Sequence, residues 1–363
     1  MTDLLSPLGF KSGREMKNRF MLAPLTNQQS HPDGILSEEE FTWLTKRAEG
    51  GFGLTMTCAA HVQANGQGFP GQLGVFGDQH LPGLTRLAEH IKRHNSLAIC
   101  QLHHAGIRSP AALIGEAPVG ASDDEKTGGR ALSLEEVHQL RDDFVAAAMR
   151  CEQAGFDGVE LHGAHSYIIC QFLSEETNQR TDEYGGSVEN RNRLLLEIID
   201  GVRAACGKNF MLGVRLSPER FGLKLAETTA LAEQLMVAGK IDFLDMSLWD
   251  VFKEPEEEAF KGRSLMSYFA ELERGDVRLG VAGKIRTPAE AETAMAAGVD
   301  WIMLGRAAIL HHNFPDLYAA DKGFKPIENP VSRQHLAAEG LSENFISYMG
   351  NWPGFVAEEA VEG

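Results

Sequence analysis

The 363-residue sequence predicts an α/β protein, a (β/α)8 TIM barrel in a single domain, and three observations carry that reading. One unit recurs along the chain: a helical pattern closes on small residues and glycine, an Asp or Gly follows, and a short apolar run comes next. It stands at Ala48-Glu49-Gly50-Gly51 before residues 54–57, at Ala154-Gly155-Phe156-Asp157 before 159–161, at Ala238-Gly239-Lys240 before 243–246, and at Ala297-Gly298-Val299-Asp300 before 301–304. Glycine suits the left-handed residue that closes a helix, and a short unbroken apolar run suits a parallel strand buried on both faces. Filling the gaps yields eight strand–helix units in about 300 residues, which is barrel length. No G-x-G-x-x-G follows an early strand, which sets the barrel above a doubly wound sheet.

In order, strands are expected at residues 20–25, 54–59, 97–102, 158–162, 211–216, 243–247, 278–282 and 301–304, each short, apolar and bounded by turn residues. Amphipathic helical stretches separate them, notably 134–153, 191–205, 226–238 and 288–297. Long loops fall at 106–130, 174–190 and 249–262. No linker rich in Pro, Gly and Ser divides the chain, so residues 1–363 read as one barrel with extension helices from about residue 311.

Composition narrows the partners. With 34 basic against 51 acidic side chains the formal net charge is −17, a balance that repels nucleic acid and anionic membranes and leaves small molecules as the expected ligands. The cysteines at 58, 100, 151, 170 and 206 are odd in number and contain no Cys-x-x-Cys, so neither a disulfide framework nor a cysteine-held metal is expected. The N-terminus lacks a signal-peptide pattern, and no stretch approaches about 18 uncharged apolar residues. A cytoplasmic protein is expected, and a homo-oligomer is compatible with the sequence.

In a barrel of this kind the chemistry sits where strands run into the following loops. The C-terminal strand edges carry Thr26, Ala59, Gln101, His103, His104, His162, His165, Arg215, Ser247, Gly283, Lys284, Gly305 and Arg306. Buried polar groups need partners, so this convergence is a costly way to fill a core and marks a site. Gly283 and Gly305-Arg306, after strands seven and eight, stand where barrels commonly bind phosphate. Read alone, those glycines serve equally well to relieve crowding at tight turns.

Four runs then acquire a shared meaning: Lys17 to Thr26 (KNRFMLAPLT), Gln101 to Gly106 (QLHHAG), Gly158 to His165 (GVELHGAH) and Arg180 to Arg191 (RTDEYGGSVENR). Together they closely resemble the old yellow enzyme family of FMN-dependent ene-reductases, a likeness that extends to about Arg306 and returns near residues 345–355. The resemblance implies FMN in the barrel mouth, NADPH or NADH as reductant, and a ping-pong reaction in which both substrates take turns over one flavin face. It implies that Gln101 bonds the flavin pyrimidine edge, that Thr26 donates near the C4 carbonyl, and that Arg215 sits by N1 and the C2 carbonyl. Ala23, Pro24, Leu25 and Ala59 would pack along the ring, and Gly283, Lys284, Gly305 and Arg306 would hold the phosphate. His162 and His165 would donate to a substrate carbonyl while its β-carbon accepts hydride, and Tyr167 would protonate the α-carbon.

The sequence departs from the family pattern in places. Gln28 stands where one branch carries a substrate-contacting tyrosine, Thr26 where that branch carries a cysteine, Ser166 where glycine is frequent, and Ile107 intervenes before Arg108. Phe69, Trp249, Phe252, Phe260 and Tyr268 are candidates for an apolar lid. From another class, a zinc hydrolase would recruit His103, His104, His162 and His165, and a non-redox aldolase would use only the phosphate site; neither requires flavin, and no metal is expected.

Overall fold

The structure, a computed structural model, describes residues 3–358. Eight parallel strands close into a barrel: β1 (Phe20–Leu22), β2 (Leu54–His61), β3 (Leu97–His103), β4 (Gly158–Gly163), β5 (Met211–Leu216), β6 (Phe243–Ser247), β7 (Arg278–Ala282) and β8 (Trp301–Leu304), each paired with its neighbours in chain order and β8 with β1. The first strand is shorter than the expected 20–25. Ala23 makes one last bond to the Leu304 carbonyl and Pro24 has no N–H to continue the ladder, so residues 23–25 leave the sheet at the mouth.

Outside run α1 (Glu38–Glu49), α2 (Leu81–Arg93), α3 (Leu134–Gln153), α4 (Val188–Ala205), α5 (Leu225–Ala238), the single turn α6 (Ser267–Ala270), α7 (Pro288–Ala296) and α8 (Arg306–Leu310), followed by α9 (Phe314–Ala320), α10 (Arg333–Ala338) and α11 (Glu343–Met349). Local chemistry sets several of their starts. Ser133 and Glu136, and likewise Thr287 and Glu290, form reciprocal capping boxes, and Ser187 caps α4, which starts three residues before the expected helix. Among the described residues no helix is long and apolar enough to cross a membrane.

The core has two parts. One lies between barrel and helices; the other fills the lower barrel with Met21, Leu54, Met56, Ile99, Met211, Phe243 and Trp301, plugged from below by Leu8, Phe10 and Met16 of a short N-terminal hairpin. Two glycines make room for its largest rings: a side chain at Gly213 would begin 2.0 Å from the Phe243 ring, and one at Gly280 would begin 2.3 Å from Trp301. The C-terminal segment is held by Arg47, fully buried on α1, which stacks on Trp43 at 3.3 Å and donates to the carbonyls of Ala308 (3.1 Å) and Glu339 (2.6 Å). That clamp brings α11 to the barrel mouth.

Two buried imidazoles outside the cavity tie stability to pH. Burial holds His61 at about 4 and His104 at about 3, against 6.5 for an ordinary histidine. Unfolding frees both to bind protons, so stability is full above pH 6.5 and falls as pH drops toward the folded values. The loss is up to about 1.4 kcal/mol per pH unit for each ring. Denaturant melts at pH 7 and at about pH 5.5, above most carboxylate titrations, should show a lower midpoint at the acid end.

Candidate active site

Above the apolar layer the strands open into a cavity of about 530 Å³ lined by Pro24, Leu25, Thr26, Ala59, Gln101, His162, His165, Tyr167 and Arg215. A second arm of about 260 Å³ shares Pro24, Leu25, Arg215 and Arg306 with it and runs past Ala23 to Gly283, Lys284, Arg286 and Gly305. Residues from nearly every strand end thus meet along one L-shaped space. The short, early-ending β1 supplies its floor in Ala23 to Thr26.

At the inner end Gln101 is buried on β3, and its amide nitrogen donates to Glu160 Oε1 at 2.7 Å, leaving its carbonyl oxygen free toward the cavity. Arg215, 5% exposed on β5, has a buried Nε with no partner among the described residues. At the far end the guanidinium groups of Arg286 and Arg306 make no hydrogen bond or ion pair among the described residues, and burial, with the neighbouring Arg286 charge, holds the Arg306 guanidinium below its ordinary value. An unpartnered donor at one end, free cations at the other and a small-residue floor between them suit a long ligand with a polar ring at one end and an anionic group at the other, as FMN is. Lys284 lines the same arm, but its ammonium is committed to Asp250 at 3.0 Å.

The chain leaving β4 makes a strained turn. His165 and Ser166 both have φ of 60°, a left-handed conformation that costs non-glycine residues about 1–3 kcal/mol each. Three contacts hold it there: the Ser217 hydroxyl accepts from the His165 N–H at 3.1 Å, Arg108 donates to the His165 carbonyl, and Gln171 donates to the Ser166 carbonyl at 2.7 Å. The strain is local to the site, since Arg220, Phe221, Trp249 and Lys284, also at positive φ, surround the same mouth.

That turn aims two rings. The Ala164 N–H donates to His162 Nδ1 at 3.3 Å, so His162 carries its proton on Nε2, which faces His165 Nδ1 at 3.3 Å. His165 Nε2 meets the Ser247 hydroxyl at 2.6 Å, and Arg215 donates to that hydroxyl at 3.5 Å. Burial pushes both rings down, His162 far below the ordinary value and His165 to about 3, with neighbouring His165 and Arg215 respectively adding to the effect. Both are therefore neutral hydrogen-bonding groups and not acids. Tyr167 packs edge-on against His162 at 4.9 Å beneath the Arg108 guanidinium at 4.7 Å.

Other candidates fall elsewhere. Gln28 lines a neighbouring polar cavity beyond Tyr348, not the cavity that holds the histidine pair. His103 gives its Nδ1 to Gln72, and His104 accepts from the Gly106 N–H with its ring against Gly66, so the four histidines do not converge as zinc ligands would. Of the candidate lid rings, Phe69 and Trp249 reach the cavity, whereas Phe260 and Tyr268 pack on each other at 5.7 Å. Sequence reasoning overlooked Arg108, Phe221, Tyr348 and Trp352, which complete the wall; the aromatic pair spaced by four on α11 and its following turn was the available signal.

Comparison with known proteins agrees with this geometry. The model of the NADH:flavin oxidoreductase / NADH oxidase family matches residues 3–321. The chain is 36% identical over 322 residues to the probable NADH-dependent flavin oxidoreductase YqiG of Bacillus subtilis, covering 86% of each. It is 31% identical over 350 residues to an NADH:fumarate oxidoreductase of Klebsiella pneumoniae, spanning 92% of this chain but 38% of that longer protein. The old yellow enzyme homologue of Zymomonas mobilis superposes with a TM-score of 0.81 at 27% identity, over 94% of this chain and 99% of that one. The barrel, the flavin-shaped cavity and these matches place the chain in the old yellow enzyme family of NAD(P)H-dependent flavin oxidoreductases, with FMN as its cofactor.

Proposed function

We propose that this protein is an ene-reductase, oxidising NAD(P)H and reducing the C=C bond of α,β-unsaturated carbonyl or related nitro and quinone compounds in a ping-pong cycle at one cavity. Bound FMN supplies the hydride relay between the two substrates. The observation that carries the reading is the convergence of His162 Nε2 and His165 Nδ1, 3.3 Å apart, on one point of the cavity wall. An oxygen bound there draws both nitrogens as donors. Ser247 makes this available to His165: its hydroxyl can donate to Nε2, leaving the ring proton on Nδ1. Because both rings are neutral, they withdraw electron density from a carbonyl without surrendering a proton, and they bind more strongly as enolate charge builds.

Tyr167 then stands beside the pair with a phenol as proton donor to the α-carbon, and Arg108 over its ring holds a positive charge where the phenolate forms. The relative named for fumarate favours the same class, since fumarate is an alkene activated by carboxylate. The five cysteines are all unpaired, which supports work in a reducing cytoplasm.

Anaerobic spectroscopy tests the reading directly. The flavin absorbance should bleach on adding NADH or NADPH and return on adding 2-cyclohexenone; bleaching without return would reject the alkene as oxidant. Replacing both His162 and His165 by Ala should leave the protein yellow while weakening phenol binding and slowing enone reduction, by about 10²–10³ for each donor lost. Tyr167→Phe should slow the enone half-reaction by about 10²–10⁴ with flavin reduction by NAD(P)H near normal. Equal loss in both half-reactions would make Tyr167 a positioning residue.

A further inference from the structure

Beneath the flavin cavity, five buried polar atoms have no hydrogen-bond partner among the described residues: Glu160 Oε2, both Asp245 carboxyl oxygens, Trp301 Nε1 and Arg215 Nε. Glu160 on β4 and Asp245 on β6 are each 0% exposed and flank β5, where Glu160 pairs with Gly213 and Asp245 with Arg215. The two carboxyl groups lie within hydrogen-bonding reach of each other. Only one of their four oxygens meets a donor from the protein, Glu160 Oε1, which accepts from the Gln101 amide at 2.7 Å. Two carboxylates facing one another in this dry interior repel strongly, whereas a carboxylic acid facing a carboxylate makes a charge-assisted hydrogen bond.

We propose that Glu160 and Asp245 hold one proton between them, so that the floor of the flavin site carries a single negative charge balanced by Arg215. Burial and the neighbouring Glu160 charge push the Asp245 carboxyl well up, which makes Asp245 the donor and Glu160 Oε2 the acceptor. The other Asp245 oxygen turns toward Trp301: a side chain at Gly280 would begin 2.5 Å from Asp245 Oδ1 and 2.4 Å from Trp301 Nε1, so the indole N–H lies on that side.

The consequence concerns the cofactor. Arg215 stands opposite Asp245 in the β5–β6 register and lines the cavity together with Gln101. With both carboxyls ionised the floor would be net negative and would oppose adding electrons to the flavin; with one proton shared, Arg215 is matched. Glu160 also fixes the Gln101 amide, so the pair acts through Gln101 and Arg215 as positioning residues. This holds whichever oxidant the enzyme uses.

Infrared difference spectroscopy of the FMN-loaded protein, with dye-equilibrated measurement of the flavin reduction potential, tests it. The protein should show a carbonyl stretch of an un-ionised carboxylic acid at neutral pH that disappears in Asp245→Asn and again in Glu160→Gln. In each single variant the new amide donates to the remaining carboxylate and the charge of the floor is kept, so the potential should stay in place. The double variant loses the charge, and its potential should move upward. Glu40, a separate buried carboxyl also pushed up by burial, keeps its own band in all three and serves as the internal reference. A wild-type spectrum with no band sensitive to either substitution, or a single variant whose potential moves as far as that of the double, would overturn the proposal. Should the double variant fail to bind FMN, the band and the two single-variant potentials decide the matter.

Discussion

Closing eight parallel strands into a barrel obliges every inward side chain to find its partners inside. In the lower half this is satisfied by apolar contact, with Phe243 over Gly213 and Trp301 over Gly280 filling the bore to a packed layer. In the upper half the inward residues are Gln101, Glu160, Arg215 and Asp245, which no water-exposed surface solvates. Their mutual pairing is incomplete: the Arg215 Nε stays buried without a partner among the described residues, and the carbonyl of Gln101 is left toward the cavity. The demand for hydrogen bonds in a closed barrel thus becomes the affinity of its mouth for a polar heterocycle. The rest of the site is arranged around that inner edge.

Most of the fold could be read from the sequence because parallel strands buried on both faces are short apolar runs, and these runs are punctuated by helix-closing glycines at Gly51, Gly155, Gly239 and Gly298, all at positive φ. The misreadings have physical causes. Strand one looked longer because Ala23, Pro24 and Leu25 are apolar, yet they line the cavity and do not belong to the sheet. The stretch between β6 and β7, where a long loop was expected at 249–262, is mostly loop with one helical turn, and its apolar residues are spent on local pairs such as Phe260 with Tyr268.

For the site, the strand-end residues were legible because their polarity is out of place in a core. What the sequence could not convey was distance. Tyr348 and Trp352 lie far along the chain from Thr26 and Tyr167, and they share one wall only because Arg47 ties the C-terminal segment to α1 and α8. Nor could it show that Gln28, two residues from Thr26, turns into a different cavity; a positive φ at Gln28 makes that turn. Likewise the sequence placed Lys284 at the arm that it lines, and could not show that its ammonium meets Asp250 on the preceding loop.

The division of labour among these parts explains why one barrel can keep its chemistry while its oxidant changes. The polar groups at the inner end of the cavity come from strand ends, whose positions are fixed by the ladder and the packed layer below. The histidine pair hangs on a strained turn, but that turn is pinned by Ser217, Arg108 and Gln171, so its strain is carried by the scaffold and its geometry is nearly as fixed as a strand's. The opposite wall is different in kind: Phe69, Phe221, Trp249 and Trp352 come from loops, and Trp249 is 61% exposed. Changes there alter the shape offered to the substrate and leave the donors and the flavin edge in place. The placement of the two histidine donors is therefore a property of the barrel, and the shape of the wall that faces them is a property of its loops.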